Sequence, residues 1–355
     1  MGKDRKTLII LIPGFPADED DSTCVPFPQA FVQNLKHFNP ALNVIVLSFQ
    51  YPFRKSIYKW NGVVVHSFNG RNRGKLNRVR IWIQVWARLK NIFREEQVVG
   101  ILSFWLGETA LIAKYVSRKY DVQSFTWMLG QDARDNNRYV SLIKPNSETL
   151  IALSDFLADE MERNYHTRPL HIIPPGIDQK TFTSEFSMRN IDILGVGSLI
   201  PLKQYGQFIE IIALVVKTHP GIKVVICGEG PERGHLQQLI YDWHLHKHIE
   251  LRGELKHEKI LELMQEARIL MHPSSYEGFS TVCAEALYAG VQVVSYCKPM
   301  HIDFENFHIV RTPEEMRDKV VKILNEKDQN QHRVLTYPIE EICGKVLSLF
   351  NCANT

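Results

Sequence analysis

Short apolar runs alternate with amphipathic stretches along almost the whole chain, and this alternation constrains the fold more than any other feature. Runs typical of buried strands lie at residues 7–12, 43–49 and 98–102, and helical patterns such as 28–38 and 76–93 separate them. Strands that alternate with helices are typical of a parallel sheet covered by helices on both faces. We therefore predict an α/β protein built from doubly wound, Rossmann-like sheets.

One break interrupts the alternation. Pro174, Pro175 and Gly176 disfavour both helix and strand, and mostly polar residues follow them as far as Asn190. The chain has 355 residues, which is enough for two domains of ordinary size. We predict an N-terminal domain, a hinge, a C-terminal domain and a final helical segment, over residues 1–173, 174–190, 191–335 and 336–355.

The composition is that of a folded soluble protein, since 45% of the residues are hydrophobic and 23% are charged. The first apolar run ends in Pro13-Gly14 without a small-residue cleavage site, so we expect a first strand and not a secretion signal.

The six cysteines are scattered without a CxxC pair, which indicates a reducing compartment and no structural zinc. The acidic run 18–21 and the alternating histidines at 244–248 are expected to be surface loops without metal.

Residues 50–94 are strongly basic, with eleven Lys or Arg and no Asp or Glu. Within them Val79, Trp82, Trp86, Leu89 and Phe93 recur at helical spacing, as expected for a core-facing helix with a charged outer face. The alternative is a peripheral membrane contact, in which cations meet anionic lipid and aromatic side chains lie at the interface. Nucleic acid is not expected as a partner, because no known binding module accompanies the charge.

Two glutamates eight positions apart, Glu277 and Glu285, flank a predicted helix start near Ser280. The pattern places one carboxylate in a loop after a buried strand and the other inside the helix. Both then lie at the carboxyl edge of a parallel sheet, where open α/β folds bind their ligands. The helix start also offers N–H groups to an anion. This combination suits a ligand with hydroxyls and phosphates, such as a sugar nucleotide.

Glycine-rich loops follow three predicted strands of the second half of the chain. The first contains Gly195, Gly197 and Lys203, the second contains Gly228 and Gly230, and the third follows Arg252. Glycines after a strand allow close approach of the backbone to a ligand. Lys203 opens the next predicted helix, so an ammonium group and a helix N-terminus are expected to meet the same anion. The dinucleotide fingerprint would need a third glycine where Ile200 stands, and the chain has no Walker A loop, so a dehydrogenase or a P-loop kinase is disfavoured.

The order of these motifs resembles a known family. It reads Gly-x-Gly-x-Leu-x-x-x-Lys, Gly-x-Gly-Pro, Leu-x-Gly and Pro-Ser-x-x-Glu-Gly-Phe-x-x-x-x-x-Glu-Ala, and residues 172–178 are similar to an interdomain Ile-Pro-Asn-Gly-Ile-Asp hinge. The pattern resembles family 4 of the retaining glycosyltransferases over residues 148–295. The resemblance implies the GT-B fold, in which two Rossmann-like domains face a central cleft, and it implies that the helix of 336–355 packs back on the N-terminal domain.

The resemblance also implies roles for individual residues. Lys203 would bind the donor pyrophosphate, Glu277 would contact hydroxyls of the donor sugar, and Glu285 would accept hydrogen bonds from the ribose. Arg252 would flank the base, and Asp132 would contact the acceptor or the sugar. The remaining donor-binding positions are small residues or backbone N–H donors, namely Gly14, Gly197, Ser198, Gly228, Gly230, Gly278, Phe279 and Ser280.

The chain departs from the family pattern at three places. Ser198 stands where the family often has an arginine, so one positive charge on the pyrophosphate is missing. Leu129 stands where the family commonly has the histidine of a His-Gly-x-Asp motif. Cys297, Lys298 and the residues after them replace the usual Gly-Gly-x-x-Glu.

The function implied by the resemblance is a metal-independent, retaining transfer of sugar from a UDP-, GDP- or ADP-sugar to a hydroxyl of a glycan, glycolipid or lipid-linked acceptor. No further cofactor is expected, and the expected location is the cytoplasm, including the inner face of the membrane. Two alternatives remain. One is a phosphorylase or epimerase on the same scaffold, and the other is a non-catalytic partner subunit, which Leu129 and Ser198 suggest.

Overall fold

The computed structural model describes residues 5–183, 188–326 and 332–351. The chain divides into two compact units. Unit 1 comprises Met1–Gly176 together with Ile339–Thr355, and unit 2 comprises Ile177–Pro338.

Parts of four predicted segments fall outside the described residues. They are residues 1–4 of the predicted N-terminal domain, 184–187 of the predicted hinge, 327–331 of the predicted C-terminal domain and 352–355 of the final segment, which include Cys352. No helix within the described ranges is both long enough and apolar enough to cross a bilayer.

Strands and helices alternate in the first part of unit 1. In chain order they are β1 (Lys6–Gly14), α1 (Pro26–Phe38), β2 (Asn43–Tyr51), β3 (Lys55–Trp60), β4 (Val63–Phe68), α2 (Lys75–Glu95), β5 (Gln97–Phe104), α3 (Glu108–Tyr120), β6 (Ser124–Met128), α4 (Arg138–Ile143), β7 (Leu150–Ala152), α5 (Asp155–Tyr165) and β8 (His171–Ile172). The strands form an eight-stranded sheet in the order β3-β4-β2-β1-β5-β6-β7-β8. All pairs in it are parallel except β3 with β4.

The centre of unit 1 is β1, in which residues 8–12 have no exposed surface. A parallel strand that is buried on both faces has a continuous apolar sequence, as this one has. Helix α2 buries Ile81, Val85, Leu89 and Ile92 against the same sheet, at the spacing of successive helical turns.

The predicted core-facing stripe of α2 is correct for most of its residues. Leu89 is fully buried, and Trp82, Trp86 and Phe93 are half-buried against the core. Val79 is the exception, because half of its surface is exposed. The outer face of this helix is therefore more apolar than the sequence pattern predicts.

Unit 2 repeats the alternation. Its elements are β9 (Ile191–Val196), α6 (Tyr205–Val216), β10 (Val224–Cys227), α7 (Arg233–Asp242), β11 (Ile249–Gly253), α8 (His257–Glu266), β12 (Ala267–His272), α9 (Thr281–Tyr288), β13 (Gln292–Ser295), β14 (Phe307–Ile309) and α10 (Pro313–Asn325). The six strands are parallel and have the order β11-β10-β9-β12-β13-β14. Helices α6, α7 and α10 share one apolar core with this sheet, and α8 and α9 pack against β9, β12 and β13.

The last helix, α11 (Ile339–Leu349), belongs to unit 1. The Phe350 ring that follows it lies edge-on to Phe125 of β6, with ring centroids 5.1 Å apart. A Cβ atom at Gly100 of β5 would clash with the same ring. Gly100 is therefore needed for the packing of the chain end on the sheet of unit 1.

A half-buried guanidinium joins the C-terminal ends of α8 and α9. Arg189 Nη1 donates to the carbonyls of Met264 (3.0 Å) and Ala267 (2.6 Å), and Nη2 donates to those of Ala289 (2.8 Å) and Gly290 (3.0 Å). Burial lowers the pKa of Arg189 to about 10, so the group stays charged at neutral pH. Carbonyls at a helix end lack intrahelical partners, and a cation there also complements the helix dipole.

We expect Arg189→Met to lower the free energy of unfolding by about 3 kcal/mol, because four buried carbonyls lose a charged donor. Urea denaturation followed by circular dichroism measures the change. Arg311→Met is the matched control, since this side chain is exposed on the surface of the same unit. Equal urea midpoints for the two variants would contradict the assigned role of Arg189.

Candidate functional site

The loops at the carboxyl ends of β9, β10 and β11 are held to each other by backbone hydrogen bonds. Gly197 N donates to Cys227 O (3.0 Å), Leu199 N donates to Glu229 O (2.8 Å) and Gly228 N donates to Gly253 O (2.8 Å). The loops therefore form one continuous edge.

Two glycines of this edge are required by packing within it. A Cβ atom at Gly228 would clash with the carbonyl of Gly197, and one at Gly230 would clash with the carbonyl of Leu199. Gly228 and Gly197 also have φ values of +145° and +153°. Side chains rarely adopt such values, so glycine is needed here whether or not a ligand approaches. Ser198 is exposed beside them.

Lys203 lies in a 3₁₀ turn, Pro201–Lys203, that precedes α6. The prediction that Lys203 opens the next helix is wrong, because Gln204 adopts a left-handed conformation (φ +52°) and α6 begins at Tyr205. The turn is held to the loop after β12, since Ser275 N donates to Leu202 O at 3.0 Å. This contact brings the loop that carries Glu277 beside Lys203.

Lys203 and Glu277 form an ion pair. Lys203 Nζ lies 2.6 Å from Glu277 Oε2, and the two side chains are 19% and 18% exposed. They are 74 positions apart in the chain. Both groups are thus partly desolvated, and this partial burial strengthens their interaction with any charged ligand. They are still reachable from solvent.

His272, the last residue of β12, adjoins this pair, although no sequence motif predicts a role for it. Its Nε2 lies 3.8 Å from Glu277 Oε2 and 3.3 Å from Ser280 Oγ, and its Nδ1 lies 3.4 Å from Ser295 Oγ. Burial, and then the charge of Lys203, lower the pKa of His272 to about 4, so the imidazole is neutral at neutral pH. The sequence signal for His272 is a polar residue at the end of an otherwise apolar strand.

Helix α9 begins beside the same group of side chains. Gly278 and Phe279 are buried before it, and Ser280 is its N-cap residue. The first N–H groups of a helix have no intrahelical partner, and they carry a partial positive charge. Glu277, Phe279, Ser280 and His272 line one narrow pocket there. The structure thus brings together five of the predicted residues, namely Lys203, Glu277, Gly278, Phe279 and Ser280.

Glu285 lies on α9 and is only 7% exposed. Its Oε1 accepts a hydrogen bond from His257 Nε2, at 2.8 Å, and His257 is the first residue of α8. Burial lowers the pKa of His257, but the hydrogen bond and charge of Glu285, together with the charge of Glu258, outweigh it, so the pKa is raised. His257 was also missed, because its partner is 28 residues away in the chain.

The raised pKa of His257 predicts a pH-dependent contribution to stability. A histidine whose pKa is higher in the folded protein stabilises it fully below the unfolded value of about 6.5, and this stabilisation is lost as the pH rises through the folded pKa. We therefore expect His257→Asn to lower the urea midpoint more at about pH 6 than at about pH 8.5.

The exposed His235 supplies the control for this experiment, as His235→Asn removes an imidazole from the same unit without removing the Glu285 contact. An equal loss of stability at both pH values for His257→Asn would show that the pair is not charged in the folded protein.

Arg252 lies elsewhere in unit 2. Its Nη2 is 2.9 Å from Glu250 Oε2, and both side chains line a groove that includes Ile191 and Ile249, the first residues of β9 and β11. No residue that lines this groove belongs to the group around Lys203 and Glu277. The role of Arg252 beside a base stays a prediction.

Two predicted residues lie in unit 1. Asp132 Oδ2 accepts hydrogen bonds from Leu106 N (2.8 Å) and Leu129 N (2.9 Å), which ties together the ends of β5 and β6. Burial raises the pKa of Asp132 to about 7, and these two hydrogen bonds oppose the shift. A Cβ atom at Gly14 would make an ordinary 3.5 Å contact with Tyr51, so packing within unit 1 does not require this glycine.

Among residues 5–183, 188–326 and 332–351, no group of three or more His, Cys, Asp or Glu side chains is placed to hold a metal ion.

Part of the chain matches a known family model, and the whole fold is similar to solved structures. Residues 177–335 match the family model described as glycosyl transferases group 1. The gpi3 subunit of phosphatidylinositol N-acetylglucosaminyltransferase from Schizosaccharomyces pombe is 29% identical over 127 residues, which are 35% of this chain and 28% of that protein. The match thus spans less than a third of this relative.

Two solved structures cover almost the whole chain. Sucrose-phosphate synthase from Thermosynechococcus elongatus has a TM-score of 0.75 at 16% identity, covering 98% of each chain. Anabaena Alr3699/HepE in complex with UDP-glucose has a TM-score of 0.70 at 16% identity, covering 98% of this chain and 97% of that one. These likenesses confirm the predicted α/β fold with two Rossmann-like units, which is the GT-B fold.

Proposed function

Residues 177–335 match the family model of the glycosyl transferases group 1, and from this match we propose that the chain is a retaining glycosyltransferase. It moves a sugar from a nucleotide-sugar donor to an acceptor hydroxyl. The observation that carries the proposal is the ion pair of Lys203 and Glu277 at 2.6 Å, beside the start of α9 at the carboxyl edge of the unit 2 sheet. This edge is where open parallel sheets bind ligands, and cation, carboxylate and free N–H groups match diphosphate and hydroxyl groups.

In the proposed reaction the bond between the anomeric carbon of the sugar and the diphosphate oxygen breaks, and a bond from that carbon to the acceptor oxygen forms on the same face. The acceptor proton passes to the leaving phosphate oxygen. Lys203 and the N–H groups at the start of α9 are aimed at the charge that develops on the diphosphate, which is the main catalytic effect. Glu277 orients the sugar through its hydroxyls. The proposed reaction uses no metal ion and no protein nucleophile.

The ion pair also gives Glu277 a role before the donor binds. Ser198 supplies no charge where relatives often have an arginine, so Lys203 carries the diphosphate interaction and is held in place by Glu277. When a diphosphate binds, Lys203 can bond to it while the carboxylate turns to the sugar hydroxyls. The proposed donor site in unit 2 is completed by Gly197, Ser198, Gly228, Gly230, Gly278, Phe279 and Ser280, and by Glu285 on the ribose. The roles of Gly14, Arg252 and Asp132 stay predictions from the resemblance.

The donor and the acceptor are proposed at the level of chemical class. The UDP-glucose in the HepE complex supports a UDP-sugar donor, with GDP- and ADP-sugars as the alternatives. The name of the S. pombe relative supports a lipid-linked acceptor such as a phosphatidylinositol, and the proposed location is then the cytoplasm at the inner face of a membrane. A glycan acceptor is the alternative.

A non-catalytic partner subunit is the second candidate function. Two observations favour it, namely the description of the S. pombe relative as a subunit and the presence of Leu129 and Ser198 at positions where the family often has His and Arg. Such a subunit would bind a donor without releasing nucleoside diphosphate, whereas the proposed enzyme releases it. A phosphorylase would require free phosphate, and an epimerase would release no nucleoside diphosphate.

The test of the proposed function is a thermal-shift series with UDP, GDP and ADP, followed by assay of nucleoside diphosphate release from the matching sugars. A ligand that binds only the folded protein raises the melting temperature, by the equivalent of about 2.7 kcal/mol at a hundred times its dissociation constant. We expect one base to be preferred. Absence of any shift with all three nucleotides and their sugars would contradict the proposal.

A further inference from the structure

Residues 50–94 expose both apolar and basic side chains. Fourteen large hydrophobic side chains are exposed in the described part of the chain, and five of them lie in this segment, namely Phe53, Ile57, Leu76, Val79 and Ile83. The same segment has eleven Lys or Arg and no acidic residue. Exposed apolar groups concentrated in one region indicate an interaction surface.

The exposed residues of α2 lie on one stripe of the helix. At 100° per residue, Leu76, Arg80, Ile83, Ala87 and Arg94 fall within about 60° of each other around the axis. All five are exposed, whereas the opposite side of the helix is packed on the core. Lys90 borders this stripe and is also exposed. The stripe is apolar towards the start of the helix and basic towards its end.

Strand β3 continues this surface. It is the edge strand of the sheet, and Lys55, Ile57 and Lys59 are exposed on it. Lys55 and Ile57 line one groove together with Ala87 and Asn91 of α2, so the strand and the helix stripe adjoin each other.

The cations of this surface are available to a partner. Lys55, Lys59, Arg80 and Lys90 are exposed and form no ion pair with any described residue. By contrast, Arg88 contacts His66 Nε2 (3.3 Å) and Glu95 (3.5 Å), and Arg78 contacts the hydroxyl of Tyr139 (3.3 Å).

We propose that this surface is a docking site for an anionic lipid bilayer. We call it the β3/α2 face, and it comprises Phe53, Lys55, Ile57, Lys59, Leu76, Val79, Arg80, Ile83 and Lys90. Aliphatic side chains on two regular elements can enter the acyl boundary while the neighbouring cations meet lipid phosphates. A nucleic acid would use the cations but gains little from exposed Ile and Leu.

This proposal gives a different set of residues from the sequence pattern. The aromatic side chains of α2, namely Trp82, Trp86 and Phe93, pack against the core of unit 1 and are not available to a bilayer. The aliphatic residues of the opposite helix stripe take their place. The contact is peripheral, because it needs only shallow entry of side chains and no spanning segment.

The test is sedimentation of the full chain with vesicles of phosphatidylcholine that contain about 30% phosphatidylglycerol. We expect Lys55→Gln, Lys59→Gln, Arg80→Gln and Lys90→Gln together to weaken binding at least about tenfold, since each basic residue near an anionic surface contributes measurably. We expect Ile57→Ser with Ile83→Ser to weaken it about tenfold as well, through lost apolar burial. Wild-type melting temperatures would show that both variants are folded.

Four exposed cations of unit 2 provide the matched control, replaced as Lys217→Gln, Lys223→Gln, Lys247→Gln and Arg311→Gln. This variant has the same net charge as the β3/α2 variant and should bind vesicles like the wild type. An equal loss in the control, or wild-type binding of either β3/α2 variant, would overturn the proposal. The vesicle assay needs neither donor nor acceptor, so its outcome is independent of the proposed transferase reaction.

Discussion

Replacing Lys203 with methionine should lower kcat by about a hundred- to a thousandfold, which is the usual effect of removing one group that stabilises developing negative charge. The methylene chain is kept, but the ammonium 2.6 Å from Glu277 is lost. Since the leaving diphosphate then has only backbone N–H groups beside it, affinity for the free nucleoside diphosphate should also fall. Release of nucleoside diphosphate from the sugar nucleotide measures the first effect, and calorimetry measures the second.

Lys217→Met is the control for this prediction, because Lys217 is exposed at the end of α6 and belongs to the same unit. It should keep wild-type turnover. Unchanged kcat in Lys203→Met would contradict a catalytic role of the Lys203 ammonium group, even if donor affinity decreased.

Glu277→Gln should affect the interaction with the donor sugar and leave the interaction with the diphosphate intact. Loss of a charged hydrogen bond to a sugar hydroxyl should lower kcat/KM for the donor by roughly ten- to a hundredfold. Nucleoside diphosphate without sugar should bind at least as tightly as to the wild type, because Lys203 no longer shares its charge with a carboxylate. The two quantities therefore change in different directions, which a general loss of structure would not produce.

Glu254→Gln provides the matched change at an exposed carboxylate of unit 2. It should alter neither kcat/KM nor diphosphate binding. If Glu277→Gln weakened the binding of free nucleoside diphosphate as much as that of the sugar nucleotide, Glu277 would be a structural partner of Lys203 and not a sugar ligand.

The fold could be predicted from the sequence where local pattern and burial agree. The run at 7–12 is continuous and apolar because β1 is buried on both faces, and the pattern at 76–93 has helical spacing because α2 packs on a sheet. The Asn61-Gly62 dipeptide is typical of a tight hairpin turn and predicts the hairpin between β3 and β4. Both residues adopt the positive φ values that such turns need, +43° and +77°.

The conformation around Lys203 could not be predicted in the same way. The sequence pattern predicts a helix that begins at Gln204, yet this residue is left-handed and α6 begins after it. The reason is tertiary, because the turn before α6 bonds to the loop of Ser275, which lies more than seventy positions further along the chain. Local propensity contains no information about that loop.

The two histidines were missed for the same reason. His257 is a first-turn helix residue in the sequence, and only the packing of α8 beside α9 places it 2.8 Å from Glu285. His272 ends a buried strand, and its neighbours Ser280 and Ser295 come from two later segments. The motifs thus identified the acidic residues and the lysine, whereas their hydrogen-bond partners depend on the folded chain.

The most direct test of the donor site is calorimetric titration of the preferred nucleoside diphosphate sugar into the wild type and into one triple variant, Lys203→Met with Glu277→Gln and Glu285→Gln. The three groups are proposed to hold the diphosphate, the sugar and the ribose, so we predict binding to the wild type and no measurable binding to a folded triple variant. Wild-type affinity in the triple variant would place the donor elsewhere and contradict the account.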